Sequence, residues 1–156
     1  MDCVIKRIYA TLCRDPDTGE GGLAPTSSEF HADAFRRMDT VYSKNTAKGG
    51  ADRLLEIDYG GTLEYGRPGS GSAQKRRSWH KLILRIGYFM GDNRNATNMV
   101  VAADDKLIGT YLQEKDAIKG GCDSLCLEKV EVIGSNVIKL DEQRLELQIS
   151  LKVQVL

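Results

Sequence analysis

From Leu145 to Val155 the chain alternates without a break. Leu145, Leu147, Ile149, Leu151, Val153 and Val155 hold the odd positions, and every even position from Arg144 to Gln154 is polar or charged. Successive strand side chains point to opposite faces, so this period of two predicts a half-buried strand with one wet face. A helix would scatter the same apolar side chains around its whole circumference. A strand with one apolar face needs neighbouring strands and a covering layer, and the remaining sequence is read for both. The odd residues are expected to face a core, and Glu146, Gln148, Ser150 and Lys152 to face water, a subunit interface or a lumen.

Partner strands are visible. Arg53–Tyr59 places Leu55, Ile57 and Tyr59 on one side and Leu54, Glu56 and Asp58 on the other, with Gly60-Gly61 ending or bending the strand. Trp79–Phe89 carries Leu82, Leu84, Ile86 and Tyr88 on one face, with Lys81 and Arg85 among the residues opposite. Val130–Ile133 and Val137–Leu140 flank Gly134-Ser135-Asn136, a connection suited to a hairpin. Two segments have helical spacing instead. Asp2 is a candidate cap for a helix bearing Val4/Ile5, Ile8/Tyr9 and Leu12/Cys13. Thr97 is a candidate cap for one bearing Val100/Val101, Asp104, Leu107/Ile108 and Tyr111/Leu112.

Between these lie less regular stretches. Arg14-Asp15-Pro16-Asp17-Thr18-Gly19 stops the first helix, and a polar loop follows to about Ser28. From Glu29 to Tyr42, the residues Phe30, Ala34/Phe35, Met38 and Val41/Tyr42 fit a helical stripe, and the same stretch reads equally as an irregular arm ending in a strand. Gly66–Ala73, with three Gly, two Ser and one Pro, reads as a protruding loop. The order is helix, long arm, strand, strand, helix, hairpin, strand. That order predicts an α+β fold, a single mixed or antiparallel β-sheet packed against two main helices, with a long N-terminal arm (14–52) and a Gly/Ser-rich loop (60–78). At 156 residues it is expected to be one domain.

Composition narrows the function. Lys plus Arg and Asp plus Glu are both 22, so no global positive excess drives binding to nucleic acid or anionic lipid. The longest apolar run, Met99–Ala103, has five residues where a spanning helix needs ~20, so no membrane segment is expected. Met1-Asp2-Cys3-Val4-Ile5-Lys6-Arg7 lacks the apolar stretch of a secretory signal, and a cytoplasmic product is expected. Cys3, Cys13, Cys122 and Cys126 lack the C-x₂-C spacing of zinc sites and are too few for a disulfide scaffold, so reduced thiols without metal are expected.

No P-loop, no spaced glycine fingerprint and no G-x-S-x-G is present. Glu29, His31 and Asp33 would share one side of an extended segment, the one local cluster resembling a metal or acid–base group; a solvated loop explains it more simply. His80, beside Trp79, reads as a structural histidine. Asp104 and Asp105 are adjacent on a helix and point in different directions, which argues against a paired-carboxylate device. Charge placement is more telling. From Arg67 to Arg94 the chain carries seven basic residues (Arg67, Lys75, Arg76, Arg77, Lys81, Arg85, Arg94) against Asp92, while each flank is net negative by three. Such segregation reads either as ordinary solvated charge or as complementarity between copies, in which a positive patch meets a negative one head-to-tail and can close a ring. Arg67, Lys75, Arg76 and Arg77 are the candidate contact residues.

The strand Trp79–Phe89, the turn Gly91–Asn95, the helix around Asp104–Leu112, the hairpin Val130–Leu140 and the terminal strand Leu145–Val155, preceded by the N-terminal helix, together resemble the tail terminator (tail-completion) proteins of long-tailed bacteriophages. The resemblance is one of element order and carries no invariant motif. It implies a non-enzymatic virion protein, made in the host cytoplasm and placed at the head-proximal end of the tail. Its members form a ring, usually of six, that ends polymerisation of the tail tube protein and meets the head–tail connector or head-completion protein. Genome DNA would pass through the lumen without sequence-specific contacts, and no cofactor or catalytic residue is carried over. Another neck, minor tail or head-completion protein would look alike. Two readings from other classes are a small soluble enzyme using His31 or His80 with neighbouring carboxylates, and a monomeric adaptor binding through the loop 60–78.

Overall fold

The computed structural model describes residues 1–13, 36–37, 53–65, 77–89, 94–113 and 127–155. Helix α1 (Asp2–Leu12) leads to a short strand β1 (Arg36–Arg37), then β2 (Leu54–Tyr65), β3 (Ser78–Phe89), helix α2 (Arg94–Gln113), β4 (Leu127–Lys139) and β5 (Arg144–Val155). The fold is α+β. Four long strands form an antiparallel sheet in the order β2-β3-β5-β4, and β1 adds to the outer edge of β2 in parallel.

The alternation in β5 decides the layering. Leu84 pairs with Ile149, Ile86 with Leu147, Tyr88 with Leu145 and Leu82 with Leu151, so the apolar rows of the two central strands coincide. Leu55 and Ile57 of β2 continue that row. Both helices bury this one face. α1 contributes Val4, Ile8 and Leu12, one per turn, and α2 contributes Val100, Val101, Ile108 and Leu112 to the same cluster. Tyr9 adds a polar bond, its hydroxyl accepting the Ile57 N–H at 2.7 Å. Among the described residues no helix is long and apolar enough to cross a membrane.

Several local expectations change. Met1, not Asp2, is the N-cap of α1 and makes no side-chain cap bond; Asp2 sits in the first turn and pairs with Lys6 at 2.7 Å. α2 begins at Arg94, so Thr97 lies a turn inside the helix and is buried instead of capping it. β2 does not stop at Gly60-Gly61. It bends there, with a register shift between Tyr59 and Thr62 and φ of +96° at Gly61, and runs on to Tyr65. The first six residues of the expected loop 60–78 are therefore strand, and 66–76 lie outside the described residues. Of the arm, only the two-residue strand β1 is described, where the backbone is extended.

The hairpin at Gly134-Ser135-Asn136 is also absent. β4 is one strand of 13 residues, and the break in its pattern is a bulge between Val132, paired with Leu151, and Gly134, paired with Ser150. The uninterrupted β5 holds both halves of β4 in line. The reversal lies at residues 140–143, where Leu140 N–H donates to the Arg144 carbonyl at 2.9 Å. The Asp141 carboxylate accepts from the Gln143 N–H at 2.8 Å and from Arg144 Nε at 2.7 Å, a side-chain turn of the kind Asp favours.

Cys13 is buried and not disulfide-bonded, whereas Cys3 is disulfide-bonded. The expectation of reduced thiols therefore fails at Cys3, because spacing along the chain says nothing about which thiols the fold brings together. A native bridge restricts the unfolded chain and is typically worth ~2–4 kcal/mol. Reductant is expected to lower the melting temperature of the wild type by several degrees and to leave Cys3→Ser unchanged. Equal responses of the two proteins in a thermal melt would show that the bridge contributes nothing.

Candidate interaction face

Among the described residues both helices pack on one face of the sheet, and the rows of the second face follow from the strand register. Gly87 lies beside Glu146, Arg85 beside Gln148, Ile83 beside Ser150, Lys81 beside Lys152 and Trp79 beside Gln154. On β2, Leu54, Glu56 and Asp58 extend the first three rows; on β4, Glu131 and Lys129 extend the last two.

At the end of this face nearest Phe89, one guanidinium organises three carboxylates. Arg85 donates from Nε and NH2 to the two oxygens of Glu146 at 3.0 and 3.1 Å and from NH1 to Asp58 at 3.2 Å, with Glu56 at 3.8 Å. Gln148 Nε2 donates to Glu146 at 2.7 Å. Burial works to raise the Glu146 carboxyl, but the bonds from Arg85 and Gln148 outweigh it and hold the group below the ordinary carboxylate range. Hydrogen bonding to Glu146 likewise raises the Arg85 guanidinium. Glu146, expected on the wet side, is on that face but only 7% exposed, because Arg85 lies over it.

A depressed carboxyl stabilises the fold above the ordinary carboxylate range, and that contribution is lost as pH falls through its folded pKa. Arg85→Gln removes the counter-charge. It is expected to cost about 1–2 kcal/mol at neutral pH, discounted for the exposure of Arg85, with the deficit shrinking below about pH 4 as Glu146 protonates in both proteins. Urea unfolding across that pH range measures it; a deficit independent of pH would refute the role assigned to Arg85.

The other end of the face is basic and aromatic. Lys152 Nζ lies 4.2 Å from the centre of the Trp79 ring, directly across from Lys81. Lys129 is held by Glu131. Of the candidate contact residues, Arg67, Lys75 and Arg76 lie outside the described residues, and Arg77 bridges to Glu128 at 3.0 Å. Positive charge gathered in the sequence is thus partly neutralised in space: Arg77 and Arg85 both have acidic partners from distant segments.

His80 sits elsewhere, among hydroxyls. Ser78 Oγ is 2.6 Å from Nε2, and Tyr59 and Thr62 hydroxyls are 3.0 and 3.3 Å from Nδ1. Partial burial, then the positive amino terminus, hold the imidazole below its ordinary value. The hydrogen bonds described for it are to these three hydroxyls. His31, with Glu29 and Asp33, lies outside the described residues.

Sequence reasoning missed the most buried polar group. Arg53 is 0% exposed and Asp104 1%. Arg53 donates to both oxygens of Asp104, from Nε at 2.8 Å and NH2 at 2.5 Å, and the Tyr88 hydroxyl donates to Asp104 at 2.8 Å. Burial, then the neighbouring Asp104 charge, push the Tyr88 phenol up. Arg53 N–H donates to the Gly87 carbonyl at 2.8 Å, and its φ of +66° is uncommon for a residue with a side chain. Asp104 facing the core stripe of α2 was the available signal, since a carboxylate there requires a buried partner. Its neighbour Asp105 points the other way and accepts from Ser135 at 2.7 Å, as adjacency on a helix requires.

No protein-family model and no curated protein sequence matches this chain.

Proposed function

We propose that this chain is a structural subunit of a phage-like virion, a tail terminator that forms a ring on the head-proximal end of the tail tube, ends its polymerisation and joins it to the head connector. The observation supporting this reading is the two-sided sheet. Among the described residues, one face is packed by both helices and the other is charged and organised by ion pairs, the kind of surface an assembly contact could use. The order of α1, β2, β3, α2 and β5 matches the elements that carry the resemblance, whereas the continuous β4 stands where that resemblance has a hairpin. Ring contacts would be made between copies, with the tail tube protein on one side and the connector or head-completion protein on the other. The lumen would pass DNA without reading its sequence.

The candidate electrostatic contact is the segment Lys75-Arg76-Arg77. Reversing all three to Glu is expected to leave the subunit folded and to abolish ring formation and tail completion at low salt, with high salt reducing the difference. Each exposed pair is worth only ~0–1 kcal/mol, but the reversal is repeated at every contact around a ring. Mass measurement in solution and micrographs of tube ends capped by the protein provide the readout. A wild type that neither forms a ring nor caps tubes would end the terminator reading.

A further inference from the structure

Helix α1 has 11 residues and no side-chain bond at its N-cap, a length and an end that are marginal for a helix in water without tertiary support. Val4, Ile8 and Leu12 supply that support along its buried side, and Cys3, in its first turn, adds a covalent one. We infer that Cys3 is bridged to Cys122 or Cys126, in the segment between α2 and β4, and that this bridge is a redox-set lock on the first turn of α1, closed in oxidising surroundings and opened by small thiols.

The pairing follows by elimination. The chain has four cysteines. Cys3 is disulfide-bonded and Cys13 is not, which within one chain leaves Cys122 and Cys126, both outside the described residues. The helix itself keeps Cys13 away: ten residues at 1.5 Å each put it about 15 Å from Cys3, where a disulfide spans a Cα separation of about 7 Å at most.

The described residues on either side of the bridge agree. The Tyr9 hydroxyl reaches Ile57, which pairs with Leu84. From Tyr9 back to Cys3 the helix covers about 9 Å, the length of about three strand residues. The direction is toward His80, whose imidazole feels the positive amino terminus. His80 pairs with Val153, and Val153 with Val130 of β4. Leu127, the first residue of β4, lies beside Val155 two residues further along β5, and Cys126 is its neighbour in the chain. The first turn of α1 and the start of β4 therefore lie toward the same end of the sheet.

Such a bridge can open without unfolding the sheet, whose ladders join β2, β3, β5 and β4 and do not involve α1. Opening is thiol–disulfide exchange. The thiolate of a small thiol such as glutathione attacks one sulfur of the bridge, forms a mixed disulfide and expels the other cysteine as a thiolate, which takes up a proton. A second small thiolate attacks the mixed disulfide, frees the remaining cysteine and leaves as the small-molecule disulfide, so that two small thiols are oxidised and one bridge is reduced. Closing is the reverse, with the small-molecule disulfide as oxidant. Cys3 is half-buried and not enclosed, and its departing thiolate sits at the positive end of the α1 dipole. A glutathione-reduced cytoplasm holds the lock open, and an oxidising exterior closes it. The inference does not rest on the terminator reading.

Peptide mapping without reductant tests the pairing. Trypsin releases Met1–Lys6 with Cys3, Ile8–Arg14 with Cys13, and Gly120–Lys129 with Cys122 and Cys126; cleavage before Asp123 separates the last two. Met1–Lys6 is expected joined to Gly120–Lys129, with Ile8–Arg14 at its own mass. Hydrogen exchange of the full chain tests the lock. In excess reduced glutathione the link is expected to disappear and the amides of Ile5–Ile8 to exchange roughly tenfold faster or more, with those of β5 unchanged. Cys122→Ser/Cys126→Ser is expected to show the faster rate with or without glutathione, and Cys13→Ser to respond like the wild type. The pairing is overturned if Cys3 is unlinked in the air-oxidised protein or is joined to Cys13. The lock is overturned if the link survives glutathione in the folded protein, if α1 exchanges alike in both states, or if β5 is accelerated as much as α1.

Discussion

Replacing Asp104 by Leu is expected to lower the free energy of unfolding by about 3–5 kcal/mol, a large share of the ~5–15 kcal/mol available to a domain. Arg53 is fully enclosed, and its guanidinium is matched in two bonds to the two oxygens of Asp104. Removing the carboxylate leaves a buried positive charge without that counter-charge, and the Tyr88 hydroxyl loses its acceptor as well. Arg53→Met alone should be similarly damaging, because the carboxylate is then the enclosed charge. The double change Arg53→Met/Asp104→Leu should recover much of the loss, since the desolvation cost of both ions disappears together. Guanidinium unfolding of the three variants measures this cycle. A single-variant cost below about 1 kcal/mol, or strictly additive costs, would mean that the two groups are not energetically coupled.

The second large effect is at Ile149. It is 0% exposed, with Leu84 beside it on one strand and Ser135 on the other. Ile149→Asp places a carboxylate in apolar surroundings and is expected to cost several kcal/mol, enough to leave the chain unfolded or aggregated. Gln148→Asp, one residue away on the opposite face, exchanges a donor to Glu146 for a like charge and should cost only about 1 kcal/mol. Soluble yield and thermal melting of the pair distinguish the faces; equal losses would show that the assignment of β5's faces is wrong.

These two sites differ in how they could be found from sequence. Ile149 follows from the alternation alone, because period two assigns each side chain to a face before any partner is known. The partner of Asp104 does not follow, since Arg53 is 51 residues away and sits at the start of a strand, where a basic residue ordinarily remains in solvent. The same limit applies to Glu146. Its even position put it correctly on the face away from the helices, but its burial comes from Arg85, 61 residues distant in the chain. The Gly134 bulge was misread as a hairpin, and the choice between an end and a bend at Gly60-Gly61 stayed open, for a related reason. A glycine permits a turn or a bulge equally well, and the neighbouring strand decides which one forms.

The sequence by itself determined the class of fold, the inward faces of β2, β3 and β5, and the stripes of α1 and α2, because hydrophobic periodicity is a local property written at fixed intervals. Only the tertiary structure decided that β4 is continuous, that Cys3 is bridged, and which charges neutralise one another. Those outcomes depend on distances between segments far apart in the chain, and Coulomb and hydrogen-bond energies depend on distance in space, which one-dimensional order does not encode.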